Sequence, residues 1–187
     1  MPMPVILGGR RRGTKLLVPD GDGVRPTLAR VREALFSMIT SQIGSFAECR
    51  VLDAFAGSGA LGLEAFSRGA SHVDLVEANR NHYELLLKNI AKLDAQSTCH
   101  ALLGHTPSAW KRLSPGAYHL VMCDPPYAAG LLPQTLQALL EQHRLNPGAI
   151  ISLELDPDTA VDIPESLELI RSRQYAQCLV MLLRFCG

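Results

Sequence analysis

Asp124, Pro125, Pro126 and Tyr127 stand in a row where the apolar run Leu120–Cys123 stops. An exocyclic base amine is a poor nucleophile because its lone pair is delocalised into the ring. Two acceptors that hold both N–H bonds free that lone pair to face an electrophile. The Asp124 carboxylate can supply one acceptor and the Pro125 carbonyl the other. Proline fixes φ and removes an N–H that would compete there, so the peptide geometry is preset. Tyr127 offers a π face on which a base can stack and an electron-rich wall for a nearby cation. The same tetrapeptide also fits a plain turn, since prolines end strands and Asp and Tyr are common in loops. Taken alone it does not decide between chemistry and a bend.

A second group tips the balance. Gly57-x-Gly59-x-x-Gly62 lies between a strand pattern and a helix pattern, where a nucleotide fold places its ligand loop. Glycine lets the chain turn sharply and lets a ligand approach the backbone. Glu77 ends the next strand, where an acid can grip ribose hydroxyls. A nicotinamide dinucleotide and S-adenosylmethionine both fit that much. Asp53, four residues before Gly57, favours the second. A carboxylate repels a pyrophosphate in a partly desolvated cleft, but welcomes a sulfonium and an amine. The plainer alternatives are that Asp53 caps the following turn and that Glu77 is a solvated acid at a strand end. The nicotinamide reading leaves the DPPY run and the basic N-terminus unexplained.

The elements that must position these residues are legible from periodicity. Residues 1–27 are rich in Gly, Pro and Arg, with a short apolar run at Val5–Leu7, and read as an extended or hairpin-like arm. A helix follows, with Thr27 as its candidate N-cap and Val31, Leu35, Phe36, Met38 and Ile39 along one face. From Arg50 strands and helices alternate: strands over 50–55, 72–78, 99–104, 119–124 and 148–155; helices over 58–69, 79–94 and 131–143; and a short helix near 107–111. Gly69 closes the first of these helices and Asn79 caps the second. This alternation predicts an α/β doubly wound, mostly parallel sheet covered on both faces. The tail, 166–185, reads as two strands joined by a short polar turn, which adds an antiparallel pair. Residues 1–27 are thus expected as a basic arm and 28–187 as one catalytic domain.

Composition narrows the classes. At 187 residues and 47% apolar, the chain builds one ordinary domain with a sizeable core. No window approaches the roughly 20 apolar residues of a membrane span, and the N-terminus lacks a secretory pattern. Cys49, Cys99, Cys123, Cys178 and Cys186 are scattered without a CxxC. They are expected to be reduced core residues of a cytoplasmic protein. No Asp/His cluster suggests a metal, and the chemistry needs none. Net charge is zero, yet residues 1–32 hold seven basic and two acidic side chains, about +5, against about −5 for the rest. A concentrated basic arm points to a phosphate-bearing partner, or to a solvated surface with no specific role.

These stretches resemble a known family, the bacterial 16S rRNA guanine-N2 methyltransferases of the small-subunit type, named for guanine 966. The arm "ILGGRRRGTKLLVP", the run "VRPTLARVREALFSMI", the loop "VLDAFAGSGALGLEAFSRGA", "VEANRN" and "DPPY" carry the likeness, which spans nearly the whole chain. The glycine loop and DPPY are shared by many amine methyltransferases; the RPT/RVRE run is far more specific. The resemblance implies a class I methyltransferase, Rossmann-like sheet with a reversed final strand. It implies methyl transfer from S-adenosylmethionine to the 2-amino group of one guanine in 16S rRNA, on an assembled or nearly assembled small subunit. It places Asp53, Phe55, Gly57, Gly59, Glu77 and His105 at the cofactor and Asp124, Pro125, Pro126 and Tyr127 at the base. Arg10, Arg11, Arg12, Lys15, Arg25, Thr27, Arg30 and Arg32 fall near the RNA or the active-site entrance. His105 stands where such enzymes often carry an Asp or Asn for the adenine amine, and Ala176 where glycine is usual. An adenine-N6 or cytosine-N4 methyltransferase also uses DPPY, but generally carries a target-recognition region. The ~30-residue arm here is below the roughly 50 residues of a small domain. Few exposed apolar patches are expected, which implies a monomer.

Overall fold

The computed structural model describes residues 3–19, 26–125, 130–175 and 178–187, the side chains of 26–28 excepted. Its centre is a seven-stranded sheet in the order β3-β2-β1-β4-β5-β7-β6. The strands are β1 (Arg50–Asp53), β2 (His72–Glu77), β3 (Cys99–Leu103), β4 (Tyr118–Cys123), β5 (Leu145–Leu155), β6 (Leu167–Tyr175) and β7 (Cys178–Phe185). β1 to β5 are mutually parallel, and β7 runs antiparallel to both β5 and β6. The last strand of the chain is therefore the reversed one, inserted between β5 and β6. The expected fold class holds.

The sheet interior reads as continuous apolar runs because both faces are covered. Helices α1 (Pro26–Ile43), α2 (Ala60–Ser67) and α3 (Arg80–Lys92) lie on one face. There Val31, Leu35, Phe36 and Ile39 share a core with Leu63, Leu86, Val51, Leu120 and Met122. On the other face α4 (Leu131–Glu141) and a 3-10 turn, Ser108–Arg112, enclose Trp110, Tyr118, Val121, Leu136, Ile151 and Leu153. The expected apolar face of α1 is all buried. Its start is corrected: Pro26 already lies in the helix, so Thr27 is inside it and is not the N-cap. Proline suits the first helical position, where its missing N–H is no loss. Asn79 caps α3 as expected, its side chain accepting from the N–H groups of Asn81 and His82.

The arm is not an appendage. Ile6 donates to the Thr14 carbonyl and Leu16 to the Pro4 carbonyl, closing a small hairpin around a 3-10 turn at Gly9–Arg11. Ile6 and Leu16 are fully buried in the α1–α3 core. Burial of such side chains is worth about 1.5–3 kcal/mol each. The hairpin is also sewn to α2: Leu7 N–H donates to Glu64 Oε2, Arg11 N–H to Ser67 Oγ, and Ser67 Oγ to the Gly8 carbonyl. Four cysteines are buried, but Cys186 is exposed, contrary to the expectation that all five are core residues. Among the described residues no helix is long and apolar enough to cross a membrane.

Candidate active site

Strand order reverses between β1 and β4, and the ends of these strands open a crevice where ligands bind in sheets of this type. β1 ends at Asp53, beside Met122 of β4 and Leu75 of β2. The chain then turns through Gly57 (φ +55) and Gly59 (φ +93) into α2. The turn is tight because Gly59 N–H donates to the Ala56 carbonyl at 2.7 Å. A side chain on Gly59 would strike Leu86 and Leu63, whereas nothing lies within 4 Å of a Cβ placed on Gly57. One glycine is needed for packing and the other keeps space open.

Asp53 is fully buried. Its Oδ2 accepts the Gly62 N–H at 2.8 Å, which fixes the start of α2. Its Oδ1 is buried without a hydrogen-bond partner. Desolvation raises its pKa to about 7, against the lowering effects of the Gly62 and Phe55 backbone N–H groups, and Asp124 and Glu77 raise it further. The turn-capping role weighed from sequence is present, and it leaves one oxygen orphaned. An unpaired buried acceptor is costly, and a cationic group near the loop would relieve it.

Glu77 ends β2 and holds the loop from the other side. Its Oε2 accepts from Gly57 N–H at 2.7 Å and its Oε1 from Asn79 N–H at 2.6 Å. Both oxygens keep a lone pair for a ribose hydroxyl. Phe55 is half-buried beside the loop. His105 follows β3, exposed, with its carbonyl taken by Ala109 N–H and Ser108 Oγ. Thr106 is buried and donates to the Ala54 carbonyl at 2.6 Å. It ties the loop after β3 to the end of β1.

Asp124 leaves the tip of β4 and lines a cleft of about 280 Å³ with Gly57, Ser58, Arg32 and Glu154. It is exposed to that cleft, yet surrounding protein desolvates it and raises its pKa to about 6. Pro125 is buried and borders a second cavity, about 190 Å³, on the α4 side. Pro126 and Tyr127 lie outside the described residues. Glu154, on β5, is the residue the sequence reading missed. Desolvation raises its pKa to about 8, aided by Asp124 and Asp53 and opposed by Arg32. Its signal in the sequence was an acid inside the apolar run "AIISLEL".

The predicted basic residues separate into groups. Arg10, Arg12, Lys15 and Arg30 are exposed. Arg10 also stacks over Phe66 at 4.2 Å, and Arg11 pairs with Asp94 at 2.8 Å. Arg32 lies on the active-site side of that expectation: it is 8% exposed, donates to the Val5 carbonyl and lines the cleft with Asp124. The apolar face of α1 turns it inward. Arg25 lies outside the described residues, as does the side chain of Thr27.

Residues 5–184 match the family described as Conserved hypothetical protein 95. Ribosomal RNA small subunit methyltransferase D of Escherichia coli is 36% identical over 173 residues, covering 92% of this chain and 85% of the relative. The protein of the same name from Haemophilus influenzae is 34% identical over 170 residues, covering 90% and 86%. Among solved structures, yhhF of Escherichia coli is 34% identical with a TM-score of 0.85, covering 99% of each chain.

Proposed function

The chain belongs to the family of Conserved hypothetical protein 95, and on that premise we propose that it methylates the 2-amino group of a guanine in 16S rRNA, using S-adenosylmethionine. One observation carries the reading: Asp124, the first residue of the DPPY run, opens into the same cleft as the glycine loop. Relatives named as small-subunit ribosomal RNA methyltransferases support it. A nicotinamide oxidoreductase leaves the DPPY run and the basic arm unexplained, and an adenine-N6 or cytosine-N4 enzyme generally carries a target-recognition region larger than this arm.

The residues present fit the cofactor. Asp53 offers an unpartnered carboxyl oxygen below the loop, Gly57 leaves its surface open, and Glu77 retains acceptor capacity. When bound, S-adenosylmethionine supplies an electrophilic methyl group beside a sulfonium. Glu77 would hold the ribose, and the open backbone at Gly57, with Gly59 closing the turn behind it, would admit the cofactor closely. Phe55 and the loop at His105 border the adenine end. Asp124 and the Pro125 carbonyl accept the two N–H bonds of the guanine amine and orient its lone pair. Tyr127 stacks on the base, in the role the resemblance implies. Catalysis is then mostly positioning, with the proton leaving late to water or Asp124.

The exposed cations Arg10, Arg12, Lys15 and Arg30 dock the RNA by shape and charge. The target is a folded surface of the assembled or nearly assembled small subunit, engaged by a monomer in the cytoplasm. No metal takes part in this scheme. The test is twofold. Mass spectrometry of rRNA from a strain lacking the gene should show one methylguanine lost, and the purified protein should restore it. Asp124→Ala should lower transfer by about 10³-fold while leaving RNA affinity unchanged. Complete methylation of the rRNA in the deletion strain, or full activity of the Asp124→Ala protein, overturns the reading.

A further inference from the structure

Cys123 and Leu153 are register partners on the parallel strands β4 and β5. The next residues, Asp124 and Glu154, therefore lie side by side across the two strand tips, at the usual inter-strand spacing of about 4.8 Å. Asp53 pairs with Met122, and side chains alternate along a strand. Asp53, Asp124 and Glu154 thus lie on one face of the sheet, the face that carries α1 and Arg32. Across the sheet the acids run Glu77, Asp53, Asp124, Glu154. Glu77 is the ribose end, so Glu154 lies beyond Asp124 on the side away from the cofactor.

Glu154 is half-buried and, among the described residues, its carboxylate makes no hydrogen bond or close ion pair. It lines the cleft with Asp124 and Arg32. Arg32 is the cation that opposes it. Arg32 is anchored to the Val5 carbonyl, is 92% buried, and keeps its Nε without a partner. Leaving a half-buried carboxyl group and a buried donor unfulfilled beside an open cleft is unfavourable. The arrangement is one that a polar ligand would complete.

The geometry points to Glu154 as the residue that reads the target base: its carboxylate accepts the guanine N1–H while Asp124 and Pro125 hold the adjacent 2-amine. This inference rests on the functional reading above. Guanine alone among the amine-bearing bases presents a donor next to its amine along the Watson–Crick edge. Adenine N1 and cytosine N3 are acceptors, and a carboxylate opposite an acceptor is repelled. Arg32 supplies the counter-charge, and its guanidinium suits the guanine O6, an acceptor that arginine commonly pairs with. The rejected base leaves Glu154 and Arg32 buried and unpaired, which is how polar sites discriminate strongly. The competing role is that Arg32 and Glu154 grip the amino-acid end of the cofactor.

The test uses reconstituted small subunits whose 16S rRNA carries either guanine or 2-aminopurine at the mapped target. 2-Aminopurine keeps the 2-amine but replaces N1–H with an acceptor and removes O6. Wild type should prefer guanine by at least about tenfold. Glu154→Gln, whose amide can donate to N1, should narrow that ratio by about tenfold. Glu154→Asp should be slower but keep the preference for guanine. S-adenosylmethionine affinity, measured by calorimetry on each protein, should stay within about twofold. An unchanged ratio in a folded Glu154→Gln protein, or a large loss of cofactor affinity, overturns this inference alone. Wild type that leaves guanine unmodified overturns the functional reading and this inference with it.

Discussion

Asn89 pairs with Leu17 as one strand pairs with another. Its Oδ1 accepts the Leu17 N–H at 2.8 Å and its Nδ2 donates to the Leu17 carbonyl at 2.9 Å. The same Nδ2 donates to the Ser58 carbonyl at 2.9 Å. One fully buried amide on α3 therefore joins the N-terminal hairpin to the glycine loop. One side chain thus ties the hairpin that carries Arg10, Arg12 and Lys15 to the loop proposed to hold the cofactor.

Asn89→Ala should consequently act on both. Three hydrogen bonds are lost, and the half-buried backbone groups of Leu17 and Ser58 are left without them. A stability loss of about 2–4 kcal/mol is expected, read by denaturant unfolding. Cofactor affinity should fall as well. A variant with wild-type stability contradicts the clamp.

The hairpin residues give a second prediction. Arg12 and Lys15 are exposed on a hairpin whose fold rests on Ile6 and Leu16. Arg12→Ala with Lys15→Ala should leave the melting temperature unchanged. It should weaken binding to the small subunit and reduce the slope of log K against log salt by about 2. An unaltered salt slope places the RNA elsewhere.

Much of this architecture was legible in the sequence for identifiable reasons. The strands of the parallel sheet announce themselves as short apolar runs because both faces are covered, and Asn79 and Gly69 mark helix ends through local chemistry. The arm was legible only in part. Ile6 and Leu16 are too few and too far apart to display a period, so charge dominated the reading and their burial stayed hidden. Arg32 carried the same bias: a cation beside other cations reads as surface, although it sits one residue after the buried Val31 and three before Leu35. Glu154 was hidden differently. Its place beside Asp124 comes from the pairing of β4 with β5, which no local pattern encodes. The place of Asp124 at a strand tip was visible because the apolar run stops there and prolines end strands.

Buried Asp53 and the two cleft acids, Asp124 and Glu154, make a third prediction, about pH. In the free protein, desolvation raises the pKa of Asp53 to about 7, of Asp124 to about 6 and of Glu154 to about 8. All lie above ordinary carboxyl values, near 4. The folded state thus holds protons that the unfolded chain has released. Stability of the free protein should fall as pH rises from about 4 to about 8 through these groups. Arg32 on α1 and Glu77 on β2 set the local field but do not reverse that sign. A cationic cofactor favours the ionised forms, so its affinity should rise between about pH 6 and 8. Calorimetry at pH 7 in buffers of different ionisation enthalpy should register net proton release, reduced by Asp53→Asn. Proton-neutral binding contradicts the role given to Asp53.

The two turn glycines separate folding from binding. Gly59 has φ +93, and a Cβ there would meet Leu86 Cδ1 at 2.5 Å and Leu63 Cδ1 at 2.9 Å. Gly59→Ala should therefore cost about 2–3 kcal/mol, from backbone strain and a crowded core together. Gly57 has φ +55 with nothing within 4 Å of an added Cβ. Gly57→Ala should cost only about 1 kcal/mol, the penalty for a left-handed alanine. Gly57 lines the cleft, however, so an added methyl occupies space that the cofactor needs. Its affinity for S-adenosylmethionine should drop about tenfold in a protein that remains folded. If Gly57→Ala instead unfolds the chain and binds as well as wild type when folded, the glycine serves the turn and not the ligand.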